Sequence, residues 1–171
     1  MIHHVSIPAR NPQHVAEVLA EVMGGKAVPF GPLEGAFMAM GADGDMIEIY
    51  PDRATLDIPA NDDQVVFGEN KAPPQNWPFH MFLSVPLDTA SVEAIGEREG
   101  WRAKTFGRGM QGHDPFFHVI EFWIENRLMI EVAPPKLRAE YENFIATAAA
   151  QMRNDPETLR LMRATHIKEP A

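Results

Sequence analysis

The sequence predicts an α+β fold of two tandem βαβββ modules with a C-terminal helical extension. The first observation behind this prediction is an internal repeat, because the segment from Ile2 to Pro51 recurs in diverged form from Phe79 to Pro134. The second is that each copy passes from a strand pattern through a helical stripe to a hairpin pattern, and the third is a change to helical periodicity after Pro135. The predicted divisions are residues 1–51 for the first module, 52–78 for a connector, 79–135 for the second module and 136–171 for the extension.

The first module begins with the strand pattern HVSIP at His4 and continues into an amphipathic helix. Asn11 is a favourable N-cap, and Pro12 suits the first helical position. Apolar residues then recur at the spacing of one buried helix face and stop at two glycines. These residues are Val15, Val18, Leu19, Val22 and Met23, followed by Gly24 and Gly25. A short strand ending at residues 30–31 and a hairpin turning at Asp43-Gly44, a dipeptide favoured in tight turns, complete the module.

The second module repeats this order, beginning with the strand pattern HMFLSVP at His80. Asp88 is the predicted N-cap of its helix, Gly100 ends the helix, and a short strand ends at residues 106–107. The hairpins of the two modules align without a gap, GAFMAMGADGDMIEIYP over HVIEFWIENRLMIEVAP. The alignment predicts that the second hairpin turns at Asn126-Arg127, a weaker turn signal than the first.

The connector and the extension differ from the modules in composition. Residues 52–78 are polar and rich in proline, with one possible strand at Gln64–Phe67. The extension carries a helical stripe that predicts docking on its own domain or on a second copy of the chain. The stripe consists of Leu137, Tyr141, Phe144, Ile145, Ala148 and Met152. Asp155-Pro156 then predicts the cap of a second short helix.

Composition excludes several classes of function. The chain of 171 residues has no cysteine, which excludes disulfides, thiolate zinc sites, iron–sulfur clusters and cysteine nucleophiles. Its net charge of −9, without a run of lysine or arginine, argues against nucleic acid or an anionic membrane as a partner. No apolar stretch approaches the roughly 20 residues that span a bilayer. The N-terminus lacks a signal-peptide pattern, so we expect a cytoplasmic protein.

The same two ionisable residue types stand at the same two points of both modules. His4 and His80 open the first strands, and Glu48 and Glu131 lie in the last strands, in MIEIYP and MIEVAP. Because side chains alternate along a strand, both glutamates are predicted to point away from the helix that their apolar neighbours cover. The same alternation places His4 on the face of Glu48 and His3 on the opposite face.

Two imidazoles and two carboxylates suit a divalent metal ion such as Zn, Ni, Co, Fe or Mn. For any one of these residues taken alone, a solvated side chain at a strand end is the simpler interpretation. The coincidence of both residue types at matched places in both modules favours a metal site.

At this point the sequence resembles the vicinal oxygen chelate superfamily, which includes glyoxalase I, extradiol dioxygenases and bleomycin-binding proteins. The resemblance covers residues 2–134 and rests on the paired βαβββ pattern with its histidines and glutamates. It implies that the first and fourth strands of each unit line a cup and that two units together hold one metal ion. It also implies a ligand set of His4, Glu48, His80 and Glu131.

The resemblance further implies a mechanism in which neighbouring substrate oxygens chelate a metal that stabilises an enolate or a similar anion. One glutamate, Glu131 or Glu48, would then move a proton beside the carbonyl. We therefore expect a glyoxalase-type lyase or isomerase acting on a small oxygenated substrate, as a homodimer. The alternatives are an iron-dependent dioxygenase, in which one glutamate does not coordinate, and a metal-free protein that sequesters a small molecule. The substrate, the metal and the number of chains that form the site stay open.

Two further residues are candidates for substrate contacts. If Asn126-Arg127 is a two-residue turn, Phe122 lies opposite Glu131 and His118 shares the face of Glu131; a half-buried histidine without a role is the competing interpretation. Arg108 lies in the glycine-rich loop GRGMQG, which is predicted to border the cup and to meet an anionic substrate, unless the arginine is merely solvated. That loop leads into a strand pattern rather than a helix, so it is not a dinucleotide-binding motif.

Overall fold

A computed structural model describes residues 2–109 and 112–154 of the chain. Its helices and strands follow the order predicted from the sequence, with one additional hairpin in the connector. The elements are β1 (His4–Ala9), α1 (Pro12–Val22), β2 (Lys26–Pro29), β3 (Phe37–Met40), β4 (Met46–Pro51), β5 (Ala54–Asp57), β6 (Val66–Glu69), β7 (Phe82–Ser84), α2 (Thr89–Glu99), β8 (Ala103–Arg108), β9 (Phe117–Ile124), β10 (Leu128–Ala133) and α3 (Pro135–Asn154).

Two four-stranded sheets of identical topology confirm the predicted pair of βαβββ modules. The first sheet has the strand order β1-β4-β3-β2 and the second the order β7-β10-β9-β8. In each sheet the first and last strands of the module pair in parallel, and the other neighbours are antiparallel. The first strand of each module therefore lies beside the strand that carries the glutamate, and His4 begins β1 whereas His80 lies before β7.

Both module helices begin and end where the sequence predicts. The Asn11 side chain accepts a hydrogen bond from the His14 backbone N–H at 3.3 Å, and the Asp88 side chain accepts one from Ser91 at 2.8 Å. After α1, a Cβ atom at Gly25 would collide with the carbonyl of Met40, so only glycine allows the chain to enter β2 this closely. The C-cap of α2 is Gly100, with φ of 67°.

The core lies between the sheets and the two helices. Side chains that alternate toward the helices are buried, including Ile47 and Ile49 in β4 and Ile130 and Val132 in β10, all at 2% exposure or less. Alternation therefore turns the intervening Glu48 and Glu131 to the other face of each sheet, as the sequence predicts.

Both hairpin turns differ from their predicted form. The loop between β3 and β4 spans residues 41–45, and within it only Gly44 has a positive φ, at 86°. The loop between β9 and β10 spans residues 125–127, where Glu125 and Asn126 adopt φ of 50° and 53°. Three residues in this turn, rather than two, shift the pairing by one position, so that Glu121 and not Phe122 lies opposite Glu131.

Several strands differ in number or length from the prediction. The connector forms a complete hairpin, β5 with β6, whereas the sequence pattern indicates only one strand at residues 64–67. In the modules, β2 stops at Pro29, while β8 continues to Arg108. The longer β8 brings the Arg108 backbone into the sheet, where it pairs with Phe117.

The extension docks on the second module as one continuous helix, α3. Leu137 and Ala148 on its stripe are buried at 6% exposure. The Tyr141 ring stacks on Phe82 with 4.1 Å between ring centroids, and Phe144 packs against Phe117 at 5.1 Å. The second short helix predicted at residues 155–156 lies outside the described residues, as does the side chain of Met152. Within the described part of the chain, no helix is long and apolar enough to cross a membrane.

Candidate functional site

The strand register places the two predicted glutamate ligands at equivalent points of the two modules. Glu48 on β4 pairs with Ser6 on β1, and Glu131 on β10 pairs with Phe82 on β7. His4 stands two residues before Ser6, and His80 stands two residues before Phe82. His4 lies within β1, two positions from Ser6, and therefore on the side of the sheet that carries Glu48, whereas His80 lies before the first residue of β7.

Glu48 is held by two hydroxyl groups on one of its oxygens. Ser6 Oγ donates to Glu48 Oε2 at 2.8 Å, and the Tyr50 hydroxyl donates to the same atom at 3.1 Å. The other oxygen, Oε1, lies 3.7 Å from Nε2 of His4. The Glu48 side chain is 13% exposed and that of His4 is 52% exposed. The carboxylate is therefore fixed in orientation and presents Oε1 toward the imidazole at an accessible edge of the sheet.

The surroundings of Tyr50 keep its hydroxyl protonated, so that it acts as a hydrogen-bond donor. Burial raises its pKa, and the negative charge of Glu48 and the hydrogen bond to it add to the rise, which brings the pKa to about 12. The ring packs against Phe67 of the connector hairpin, with 5.7 Å between centroids. A cavity of about 150 Å³ adjoins it, lined by Ser6 and Tyr50 and by Thr55, Leu56 and Trp77 of the connector. The connector thus forms one wall beside Glu48.

Glu131 is held by a cation instead. Arg108 Nε donates to Glu131 Oε1 at 2.8 Å, and Arg108 Nη2 donates to Glu121 Oε1 at 2.9 Å. Glu121 and Glu131 are directly paired across β9 and β10, and Trp123 Nε1 lies 3.4 Å from the second oxygen of Glu121. The guanidinium therefore bridges two neighbouring carboxylates that would otherwise repel each other.

The charge of this arginine is firmly maintained. Burial lowers the pKa of Arg108, but the hydrogen bonds and charges of Glu131 and Glu121 outweigh that effect, and the net shift is upward. Side-chain exposure of 29% for the arginine and 14% for Glu131 leaves the cluster only partly hydrated. Arg108 is therefore a permanent cation of this face and not a solvated loop residue.

The residues at equivalent positions of the two modules explain why Glu48 and Glu131 have different hydrogen-bond partners. The gapless hairpin alignment has an offset of 83 residues, so Tyr50 corresponds to Ala133 and Met38 to Glu121. Met38 pairs with Glu48 as Glu121 pairs with Glu131. The first module offers Glu48 two neutral donors, whereas the second offers Glu131 an alanine, a phenylalanine and a second carboxylate. Arg108 supplies the hydrogen bonds that these replacements remove.

The four predicted metal ligands do not form one cluster within the chain. His4 and Glu48 face each other, Glu131 is bonded to Arg108, and His80 is exposed just before β7. Among residues 2–109 and 112–154, no group of three or more histidine, aspartate or glutamate side chains is placed to hold a metal ion. The geometry of His4 and Glu48 does suit two adjacent coordination positions, since both donors lie on one side of the sheet. The ligand set as a whole stays a prediction.

The predicted position of His118 on the face of Glu131 is wrong, because the three-residue turn reverses the alternation of β9. Ile120 and Phe122 lie two and four residues after His118 in the strand, so they are on the same face as His118, and both are fully buried on the side of α2. The imidazole of His118 lies at the start of the strand, with Nδ1 2.8 Å from Glu140 of α3. Arg108, in contrast, does reach the face of Glu131.

Sequence reasoning missed Glu121 and its role beside Arg108. The sequence does contain an indication of this position, because the gapless hairpin alignment matches Glu121 to Met38 and predicts the same strand register in both modules. The assumption of two-residue turns concealed it. Sequence reasoning also missed that aromatic rings of α3 contact Phe82 and Phe117 of the second sheet. The apolar stripe on the helix predicts that the helix packs against a surface, but it does not indicate which surface.

No protein-family model and no curated protein matches the chain. Among solved structures, a glyoxylase/bleomycin resistance protein/dioxygenase domain from Frankia sp. EAN1pec matches with a TM-score of 0.50 and 15% identity, over 78% of this chain and 96% of that one. A lactoylglutathione lyase from Agrobacterium tumefaciens matches with a TM-score of 0.49 and 13% identity, over 80% and 95% of the two chains. The Frankia match shows that this chain has the glyoxalase/bleomycin resistance/dioxygenase fold, which confirms the predicted resemblance at the level of the fold.

Proposed function

We propose that the protein is a metal-dependent lyase or isomerase of the glyoxalase type that acts on a small oxygenated substrate. The observation that carries the proposal is the matched strand pairing, which gives both modules a glutamate at the same point of the last strand, beside a first strand that begins at His4 in one module and just after His80 in the other. A bound divalent metal ion would polarise substrate oxygens and stabilise the negative charge that develops on them. The glyoxalase/bleomycin resistance/dioxygenase fold of the chain supports the proposal.

His4 and Glu48 would form one half of the metal site, and His80 and Glu131 the other half. Because the described part of one chain brings no three of these donors together, we propose that the halves meet across a homodimer. Each dimer would then contain two sites, each with one half from either chain. The oxygenated substrate would enter between the two sheet faces that carry the glutamates.

The chain's own side chains have distinct tasks in this proposal. Ser6 and Tyr50 orient Glu48, so that Oε1 stays directed toward His4. A glutamate, Glu131 or Glu48, accepts the proton beside the substrate carbonyl and returns it at the neighbouring atom. The Trp77 and Leu56 side chains form the apolar part of the cavity wall beside Ser6 and Tyr50.

Metal analysis of mixed dimers tests both parts of the proposal. One variant carries His4→Ala with Glu48→Ala, and the other carries His80→Ala with Glu131→Ala. Each variant alone should bind no transition metal, while the mixed dimer should bind about one ion, because one of its two sites contains only unaltered residues. A variant with His3→Ala and Glu34→Ala, both exposed, is the control and should match the wild type.

The outcomes separate the alternatives. Metal in the wild type but none in the mixed dimer would place the whole site within one chain. No metal in the wild type after reconstitution would contradict the metal-dependent enzyme. Iron as the bound metal, with oxygen uptake in the presence of a catechol-like substrate, would favour a dioxygenase over an isomerase.

A second candidate function is metal-free binding of a small molecule. It is favoured by the Arg108–Glu131 contact, which neutralises a predicted ligand with a cation of the chain itself. Such a protein should bind its ligand equally well before and after treatment with a chelator. A loss of binding after chelation would rule out this alternative.

A further inference from the structure

We propose that a second cavity of the molecule, where the two modules and α3 meet, binds a small zwitterion of the class of an aliphatic dipeptide. The cavity has a volume of about 540 Å³, which lies in the range of pockets that hold drug-sized ligands. Its wall is formed by the β3–β4 loop and the end of α1, by β7 and the residues after it, and by the first turn of α3. The described residues that line it include neither Glu48 nor Glu131. This inference is therefore independent of the function proposed above.

Two carboxylates line the cavity from the first module. Asp43 and Asp45 stand on either side of Gly44 in the loop of residues 41–45. The Asp45 side chain lies so close to Gly41 that a Cβ atom at position 41 would collide with its Oδ1. The Gly41 backbone N–H also donates to the Asp45 carbonyl at 2.8 Å. The loop thus holds the half-buried Asp45 at the cavity wall, where its carboxylate can accept hydrogen bonds from an ammonium group.

One guanidinium lines the cavity from α3. The Arg138 backbone N–H donates to the Pro134 carbonyl at 2.9 Å, which fixes the residue in the first turn of the helix. Its side chain lies 3.7 Å from Glu142, and the two side chains are 46% and 67% exposed, so this ion pair holds the guanidinium only weakly. Arg108 and Arg127, in contrast, are each held by several short hydrogen bonds. Arg138 is therefore available to a carboxylate of a ligand, which it can bind through two N–H groups.

Apolar side chains form the rest of the wall. Met23 and Val85 are 3% and 4% exposed, and Leu83, Pro86 and Pro135 extend the apolar lining. A ligand that matches this surface has an aliphatic body in addition to its charged groups.

The signs of the charges select a zwitterion. An anion alone would face the two aspartates, and a cation alone would face the guanidinium, so each would meet a like charge. A molecule with an ammonium group and a carboxylate satisfies both sides of the cavity. A dipeptide of aliphatic residues carries these groups and fits the volume better than a single amino acid does.

Calorimetric titration of the full chain with leucyl-leucine tests the proposed ligand class. Two analogues serve as probes of its charges, since leucyl-leucinamide lacks the carboxylate and N-acetyl-leucyl-leucine lacks the ammonium group. Each analogue should bind at least about tenfold more weakly than leucyl-leucine, because a charge-assisted contact is lost. No heat of binding with leucyl-leucine, or equal affinity for either analogue, would overturn the proposal.

Two substitutions test whether the dipeptide binds in this cavity. Asp45→Asn keeps the shape of the side chain, and with Arg138→Gln it should weaken leucyl-leucine binding about tenfold. Arg138→Gln should also remove the preference for leucyl-leucine over leucyl-leucinamide, which a general loss of structure would not do. Asp62→Asn and Arg102→Gln, at exposed positions, are the matched controls and should bind as the wild type does. Wild-type affinity in both Asp45→Asn and Arg138→Gln would overturn the assignment of the site to this cavity.

Discussion

At the level of single residues, the two matched glutamates differ because of their neighbours rather than their backbone positions. Glu48 accepts hydrogen bonds from Ser6 and Tyr50, whereas Glu131 is paired with Arg108. The sequence predicts the strand, the face and the equivalence of both glutamates, since these follow from alternation and the repeat. The sequence does not predict the hydrogen-bond partners of the two glutamates. These partners are side chains of other strands, and which of them come within reach depends on the strand register in the folded structure.

Tyr50 offers a direct test of this local environment. Its pKa of about 12 lies above the ordinary value of 10.0, so the folded state holds the phenolic proton more tightly than the unfolded state. The stability that Tyr50 contributes is fully present below pH 10 and is lost as the pH rises toward about 12. Glu48→Gln should lower the pKa of Tyr50, because it removes a negative charge and a charged acceptor.

The measurement is the absorbance of tyrosinate during alkaline titration. The chain has two tyrosines, so Tyr50→Phe identifies the contribution of Tyr50 by difference. An unchanged titration of Tyr50 in Glu48→Gln would show that the hydroxyl is not coupled to this carboxylate.

At the level of elements, the helices were more predictable than the turns. The caps at Asn11 and Asp88 and the glycine at the end of α2 act locally, within a few residues of the chain, and the structure has all three. The β9–β10 turn is set by distant contacts instead. Glu125 accepts hydrogen bonds from the backbone N–H groups of Arg10 and Asn11, at 2.8 and 2.9 Å. These contacts between the two modules favour a turn of three residues, whereas the local sequence pattern indicates a turn of two.

The contact between α1 and α2 predicts a dependence of stability on acid. A hydrogen bond from Arg98 lowers the pKa of Glu21. Burial raises the pKa of Glu99, but hydrogen bonds to Arg98 and His14 outweigh it and the net shift is downward. Because these pKa values lie below the ordinary 4.5 in the folded state, the associated stability is present above that pH and is lost as the pH falls further.

Arg98→Gln should therefore lower the free energy of unfolding at neutral pH and lose most of that effect in acid. Urea denaturation of wild type and variant, at pH 7 and at pH values below 4.5, measures the difference. Arg102→Gln should show no such trend. A deficit in Arg98→Gln that stays constant across this range would contradict the role of the two glutamates.

At the level of the whole molecule, Arg127 joins the parts that the sequence presents as separate. This turn residue of the second module is only 4% exposed. It donates to Asp52 at 2.8 Å, at the start of the connector directly after β4, and to the carbonyls of Pro74 and Gln75 near the end of the connector, at 2.7 and 3.2 Å. No local pattern indicates such a contact, because its partners lie more than fifty positions away in the chain. The relative placement of the modules was unpredictable for the same reason.

Arg127→Met should destabilise the protein by about 3–5 kcal/mol, because it leaves the Asp52 carboxylate and two carbonyls without their donor in a buried place. Urea unfolding measures this loss. Arg102→Met, at an exposed position, is the control and should change the free energy of unfolding by no more than about 0.5 kcal/mol. A similar, small effect of both substitutions would show that the modules and connector are held together by apolar packing alone.

The unequal surroundings of Glu48 and Glu131 have a stereochemical consequence. Two identical halves would present a substrate with the same chemistry from both sides, so the substrate would fit equally well after a half-turn. Here hydroxyl groups lie on one side and a guanidinium with a second carboxylate on the other. In the proposed site, a molecule bound between them would be held in one orientation, and a proton delivered there would reach a single prochiral face, which predicts a product of one enantiomer.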